Sequence, residues 1–275
     1  INPDPNQGFG VLGDSDEAIR IQGGNSRLIE TLNQTLASRV PIHLGHRLVK
    51  LEDAGSGIRL TFSEGTTTRT MTAARVICTL PFTTLREVEG VSKLPLSPAK
   101  QRCIQELGYG TNAKHMVGFT ERFWRQPHGP LPAMTGYTFT DLPSQTLWDS
   151  SRAQAGDSGI ITTLLGGQAG LDPRRGTLES ILAALDRIHP GVRALHDGRD
   201  IMARWGSQPF AKCSYTCPRV GQYTAIIGSA KEAELSGKLL FAGEHASETN
   251  QGYMEGAVES ANLVVHSLVK EILGV

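Results

Sequence analysis

The first regular hydrophobic pattern of the chain lies between Asn25 and about Ser38. Leu28, Ile29, Leu32 and Leu36 recur there at helical spacing, with Asn25 or Ser26 placed to cap the start, so the pattern predicts an amphipathic helix. Short strand-like runs follow at Ile42 to Leu44, Leu48 to Leu51, Ile58 to Phe62 and Arg69 to Thr72. Turn chemistry such as Gly55-Ser56-Gly57 and Glu64-Gly65 divides them, which predicts a small antiparallel sheet. Arg75 to Leu80 is a short, β-branched apolar run stopped by Pro81, and it predicts a buried strand.

From about Arg102 the texture changes. Longer strand-like segments, Ala113 to Phe119 and Gly159 to Leu165, are joined by loops rich in proline and glycine, and a helix is predicted over Thr177 to Ile188. The block reads as a second domain inserted between two parts of the first. An apolar strand at Leu239 to Ala242 and a helix from about Tyr253 to Leu273 close the chain. On that helix Met254, Ala257, Val258, Ala261, Val265, Leu268 and Ile272 share one apolar face. Strands and helices mixed in this way predict an α/β (mixed α+β) architecture.

At 275 residues the chain is long enough for one large or two smaller domains. Lys+Arg and Asp+Glu number 27 each, so no long-range field favours nucleic acid or an anionic membrane surface. The 39% hydrophobic and 20% charged content is that of a globular protein, and no apolar run approaches the roughly 20 residues of a membrane span. Cys78, Cys103, Cys213 and Cys217 are too scattered for a disulfide scaffold and lack zinc-finger spacing, so no metal site is expected and the compartment stays open. The start, Ile1-Asn2-Pro3-Asp4-Pro5, has neither an initiator Met nor a signal-like apolar stretch and reads as that of a fragment or a processed chain.

Gly8-Phe9-Gly10-Val11-Leu12-Gly13 spells the dinucleotide fingerprint, but its context refuses the chemistry. That motif needs an apolar strand before it and a helix after it, so that a pyrophosphate meets the helix N-terminus. Here Ile1 to Gln7 is polar and proline-broken, and Asp14-Ser15-Asp16-Glu17 puts negative charge where phosphates would sit. Gly23-Gly24-Asn25-Ser26 fits a phosphate cradle and an ordinary turn into a helix equally well. More informative is Leu239-Leu240-Phe241-Ala242-Gly243-Glu244-His245 followed by Gln251-Gly252-Tyr253-Met254-Glu255-Gly256-Ala257. An apolar strand, a polar turn and a glycine-led helix start suit a polar cofactor at a helix N-terminus. Lys114, amid an apolar strand, either points to solvent by alternation or is buried with a depressed pKa and a task.

These segments, in this order with Phe123-Trp124 and Trp205, resemble the flavin-dependent amine oxidases: monoamine oxidases, polyamine oxidases and L-amino-acid oxidases. The resemblance covers almost the whole chain and is most specific in its last 70 or so residues. It implies a partial FAD-binding domain plus a substrate domain built on a mixed sheet, divided as follows. Residues 1–19 would be a substrate-domain tail or linker and 20–102 the middle segment of the FAD domain. Residues 103–207 would be the substrate domain and 208–275 the C-terminal FAD segment.

The resemblance also implies roles. Leu48 stands at an adenine-contacting position, where it reads equally well as a core strand residue. Gly243, Glu244, Gly252, Tyr253, Met254 and Ala257 match the flavin-facing turn and helix start, and Trp205 either packs near the flavin or belongs to the core. Lys114 matches the lysine that reaches flavin N5 through a water. Tyr215 and Tyr253 match the paired rings that align the substrate amine, which aromatic faces hold by apolar and cation–π contact. Ser214 occupies the position where some monoamine oxidases carry a flavin-bonded cysteine, so FAD should be non-covalent unless Cys213 substitutes. His245 is assigned a structural hydrogen-bonding role rather than that of a general base.

The implied reaction is oxidation of a small amine with dioxygen as the final acceptor and hydrogen peroxide as a product. The implied alternatives are an L-amino-acid oxidase, and a non-catalytic fragment or subunit that needs an N-terminal chain to complete the FAD site. The family's N-terminal strand, glycine-rich turn and helix have no counterpart in this sequence. A homodimer is compatible with the resemblance.

Overall fold

A computed structural model describes residues 19, 21–127, 131–152 and 154–274. The Gly8–Gly13 fingerprint and nearly all of the expected tail at 1–19 lie outside the described residues. The chain divides into two compact units, Ile1–His46 and Arg47–Val275.

In the first unit the predicted helix forms as α1, Ser26–Leu36. Asn25 stands at its N-cap position in a right-handed helical conformation, without a side-chain capping bond, and no residue of α1 is buried. The strand expected at Ile42 to Leu44 does not form. Pro41 before it removes a ladder donor, and Gly45 after it turns the chain at a φ of 75°.

The second unit begins with the predicted meander. β1 (Arg47–Asp53), β2 (Ile58–Glu64) and β3 (Thr67–Ala73) pair antiparallel in that order, with a bulge between Leu48 and Lys50. β4 (Val76–Cys78) is shorter than its apolar run, and it pairs in parallel with a distant strand at Leu239–Phe241. Helix α2 (Phe82–Leu85) follows Pro81 directly. Helix α3 (Pro98–Glu106) is capped by Ser97, whose side chain accepts from Lys100 N, and carries proline in its first turn, where a missing N–H costs no bond. These elements share one apolar core that includes Leu51, Ile58, Phe82, Leu85, Ile104 and Phe241.

A second core lies under a five-stranded sheet. Its strands are β5 (Ala113–Phe119), β6 (Thr138–Phe139), β7 (Thr146–Asp149), β8 (Gly159–Leu165) and β9 (His196–Arg204), in the antiparallel order β6-β7-β8-β5-β9. Helix α4 (Gly167–Leu171) follows β8. Helix α5 (Leu178–Ile188), capped by Thr177, buries Ile181, Leu182, Ala184 and Leu185. Ile181, Leu182 and Leu185 pack in the same core as Val117, Phe119, Trp124, Ile161 and Leu165, and each such large side chain contributes about 1.5–3 kcal/mol by leaving water. Because side chains alternate along a strand, Ala113, His115 and Val117 are buried while Lys114 and Met116 lie on the opposite, half-buried face.

Helix α6 (Gln222–Ala225), β10 (Leu239–Phe241) and α7 (Met254–Leu273) complete the unit. β10 is wholly buried, but α7 departs from its sequence pattern. Its buried residues are Gly256 and Ser260, whereas Met254, Val258, Val265 and Ile272 of the apolar face are exposed. At Gly256 the backbone of Asn250 comes so close that an added Cβ would lie 2.1 Å from Asn250 O, so the buried side of the helix uses small residues. No helix among the described residues is long and apolar enough to cross a membrane.

Candidate active site

The turn after β10 organises the candidate site. Gly243 adopts a φ of 143°, and an added Cβ would lie 2.5 Å from the His245 ring, so both conformation and space require glycine. Gly243 N donates to Ser260 Oγ at 2.9 Å, which ties the turn to α7. The Glu244 carboxylate then bridges two distant segments. Its Oε1 accepts from Thr216 N at 2.9 Å and Thr216 Oγ1 at 2.8 Å, and its Oε2 accepts from Gly252 N at 2.8 Å. Thr216 follows Tyr215 and Gly252 precedes Tyr253, so one carboxylate fixes the backbone beside both tyrosines.

Both rings are half-exposed, at 41% for Tyr215 and 50% for Tyr253. Burial, and next the nearby Cys217 and Tyr253, push the Tyr215 hydroxyl above its ordinary pKa, so it stays neutral. Gly252, at a φ of 85°, keeps the chain between the rings in a left-handed turn, and its missing Cβ would stand 3.7 Å from Tyr215 Cδ2. Tyr253 is the N-cap residue of α7, and no side chain caps that helix end.

The Tyr215 segment is joined to β5. Gly110 N donates to Tyr215 O at 2.7 Å, and Ser214 N donates to Gly110 O at 3.0 Å. Ser214 Oγ donates to Asn112 Oδ1 at 3.0 Å and accepts from Asn112 N at 3.3 Å. Lys114 lies four residues beyond Gly110, opposite Leu164 on β8 and Ala203 on β9, with Nζ 5.4 Å from the Trp148 ring centre. Trp205 begins the turn after β9 and is 36% exposed.

Behind this wall lies a buried group of unusual protonation. His245 is 3% exposed and its ring centre lies 4.6 Å from that of Phe82. Burial, and then the Lys100 charge, push its pKa down to about 4. Lys100 is fully buried, donates to Ala230 O at 2.7 Å and has Nζ 3.8 Å from the centre of the Phe241 ring. Burial lowers its pKa to about 8.

The profile of the flavin containing amine oxidoreductases matches residues 5–268. The chain belongs to that family. Among curated relatives it is similar to polyamine oxidase 4 of Oryza sativa subsp. japonica, 25% identical over 270 residues, which are 94% of this chain and 52% of that protein. It is likewise similar to the flavin-dependent L-tryptophan oxidase RebO of Lentzea aerocolonigenes, 25% identical over 263 residues, 92% of this chain and 53% of the relative. Among solved structures, the cyclohexylamine oxidase from Brevibacterium oxydans IH-35A superposes at a TM-score of 0.72 with 17% identity, over 90% of this chain and 53% of that one. A putrescine oxidase bound to putrescine superposes at 0.70, again with 17% identity over 90% of this chain and 53% of that one. The chain thus spans about half the length of the relatives it matches.

Within the chain, the predicted residues fall into separate places. Glu244, Gly252, Tyr253 and Tyr215 come together around the carboxylate bridge, with Gly243 at its base and Met254 and Ala257 on the first turn of α7. Lys114 and Trp205 stand on neighbouring strands of the five-stranded sheet or at their ends. Leu48 lies on β1 opposite Phe62 and packs, partly buried, against the first core. Sequence reasoning did not find the bridging role of Glu244, the Asn112–Ser214 pair or Lys100. The only available signal was indirect: Thr216 immediately follows Tyr215, and Asn112 precedes the Lys114 strand by a single residue.

Proposed function

We propose that this chain forms the substrate-facing wall of a FAD-dependent amine oxidase, with its FAD-domain segments in residues 20–102 and 208–275 and its substrate domain in 103–207. The observation that carries the reading is the Glu244 bridge, which ties the backbone next to Tyr215 to the backbone next to Tyr253, the residue at the uncapped start of α7. Gly243, Glu244, Gly252, Tyr253, Met254 and Ala257 would hold the flavin there, with Leu48 and Trp205 at its flanks.

The local chemistry fits an anionic cofactor. Glu244 directs its charge onto Thr216 and Gly252, and Glu259 directs its own onto Ser247, Thr249 and Asn250. The positive end of the α7 dipole, which has Glu255 in its first turn, would face a ligand acceptor with its N–H groups. Cys213 is buried, donates to Ala211 O at 3.2 Å, lies 3.5 Å from Thr83 Oγ1, and has its thiol pKa raised by burial. Ser214 is engaged with Asn112. Neither side chain is presented as a covalent anchor, which supports non-covalent FAD.

Bound FAD supplies the acceptor for a hydride leaving the carbon that bears the amine, and dioxygen then takes up the electrons as hydrogen peroxide. Tyr215 and Tyr253 bind the neutral amine between aromatic faces and restrict its approach. Lys114 holds a water by donating from Nζ. The imine product hydrolyses in water to an aldehyde and ammonia or an amine.

A second reading, oxidation of L-amino acids, is favoured by the similarity to the L-tryptophan oxidase. Peroxide release by the complete protein, measured over a panel of amines and a panel of L-amino acids, separates the two. Turnover of amines supports the first reading. Turnover confined to amino acids overturns it and supports the second.

A further inference from the structure

Tyr215 is held from two sides, and the Glu244 bridge is one of them. On the other, residues 108–110 run antiparallel to the tyrosine segment, with Tyr109 opposite Thr216. Cys217 N donates to Gly108 O at 2.9 Å, and Gly110 N donates to Tyr215 O at 2.7 Å. Gln222 fixes the far end, where its Oε1 accepts from Gly108 N at 2.9 Å and its Nε2 donates to Glu106 O at 2.7 Å. At the near end, past Ser214 N and its bond to Gly110 O at 3.0 Å, the pairing passes to side chains. Asn112 N donates to Ser214 Oγ at 3.3 Å, and the same hydroxyl donates to Asn112 Oδ1 at 3.0 Å. Gly110 makes room for this pair, since a Cβ there would lie 2.5 Å from Ser214 Oγ and 2.9 Å from Asn112 Oδ1.

Resting on the amine-oxidase reading above, we propose that Asn112 is a positioning residue for Tyr215: through Ser214 it fixes the ring that aligns the amine. Asn112 directly precedes β5, whose first residue, Ala113, is buried in the second core, so the pair fastens the tyrosine segment to the sheet. Ser214 has one hydroxyl proton, and donating it to Asn112 Oδ1 while accepting from Asn112 N uses the hydroxyl in both directions. Both chain neighbours of Tyr215 are thus held by a side chain from another segment, Ser214 by Asn112 and Thr216 by Glu244. Because the ring itself is 41% exposed, its direction rests on these two anchors rather than on core packing. Without Asn112 the near end of the ladder loosens, the ring samples more positions, and the amine is held less well.

The test is amine binding and turnover by the complete protein. The amine 2-phenylpropan-2-amine has no hydrogen on the carbon that bears nitrogen, so it binds without reacting, and its dissociation constant is read from the change in flavin absorbance. Asn112→Ala should raise that constant, and the KM for 2-phenylethylamine, by about 2- to 10-fold, the worth of one neutral hydrogen bond, and leave kcat within about twofold. Flavin content should match the parent's. Ser214→Ala removes the same bond from its other end and should weaken binding at least as much, which supplies the measurement if Asn112→Ala folds poorly. In a Tyr215→Ala background, Asn112→Ala should change the dissociation constant by less than about twofold, because the ring through which it acts is gone. Unchanged binding in both single variants, or a loss undiminished in the Tyr215→Ala background, overturns the positioning role and leaves amine oxidation standing. Failure of the parent to oxidise any amine with flavin bound overturns the amine-oxidase reading itself, and the positioning role with it.

Discussion

Replacing Glu244 with glutamine changes one atom and probes the bridge that holds the two tyrosine segments. The carboxylate accepts three hydrogen bonds from two backbone N–H groups and one hydroxyl, at 2.8–2.9 Å. A glutamine oxygen can serve Thr216 or Gly252, but its NH2 must then face an N–H donor on the other side. One charge-assisted bond, worth about 1.5–3 kcal/mol, is lost and a partly buried N–H is left unpaired. Glu244 is only half-buried, so water recovers part of this, and the expected loss is about 2 kcal/mol for Glu244→Gln and about 3 kcal/mol for Glu244→Ala. Denaturant unfolding of parent and variants measures it, with an unchanged slope against denaturant as the check that only stability moved. The KM for an amine should rise together with the loss of stability, because Tyr215 and Tyr253 lose their common anchor. Unfolding midpoints indistinguishable from the parent would refute the bridge. A fully stable variant emptied of flavin would instead place the carboxylate on the cofactor.

Two further perturbations test the buried cluster behind the site. The His245 pKa of about 4 lies below the ordinary value of 6.5, so the unfolded state binds more protons in that window. Stability should therefore fall by roughly 3 kcal/mol as pH drops from about 6.5 to 4, and His245→Phe should flatten that slope in denaturation measured at pH 7 and pH 4.5. Lys100, lowered to about 8 from 10.5, carries the same sign: the unfolded state holds the proton longer, so stability should rise as pH increases through that interval. Lys100→Met should abolish this rise, and a variant that keeps it would show that the buried ammonium is not its source.

The legible parts of the fold were those set by local pattern. The meander β1 to β3 follows alternation and glycine turns, and α5 follows a Thr177 cap and a 3.6-residue stripe. β10 and the turn after it were readable because an uninterrupted apolar triplet leading into Gly243-Glu244 has few other uses. Ile42 to Leu44 misled because two apolar positions around His43 say nothing about the proline and glycine that flank them. The apolar stripe of α7 misled differently: its tightest packing is made by Gly256 and Ser260, small residues that carry little weight in a hydrophobic pattern. The Glu244 bridge joins residues 28 and 8 positions apart, and the Lys100 contact with Ala230 spans 130, distances at which sequence spacing carries no geometric signal.

The most direct test of the central claim is the visible spectrum of the complete purified protein, titrated with 2-phenylethylamine in the absence of oxygen. The account predicts flavin absorbance that bleaches on addition of the amine, returns on admission of air with release of peroxide, and passes into the supernatant as free FAD when the protein is precipitated with acid. Protein that takes up no flavin, or flavin that no amine reduces, would contradict it.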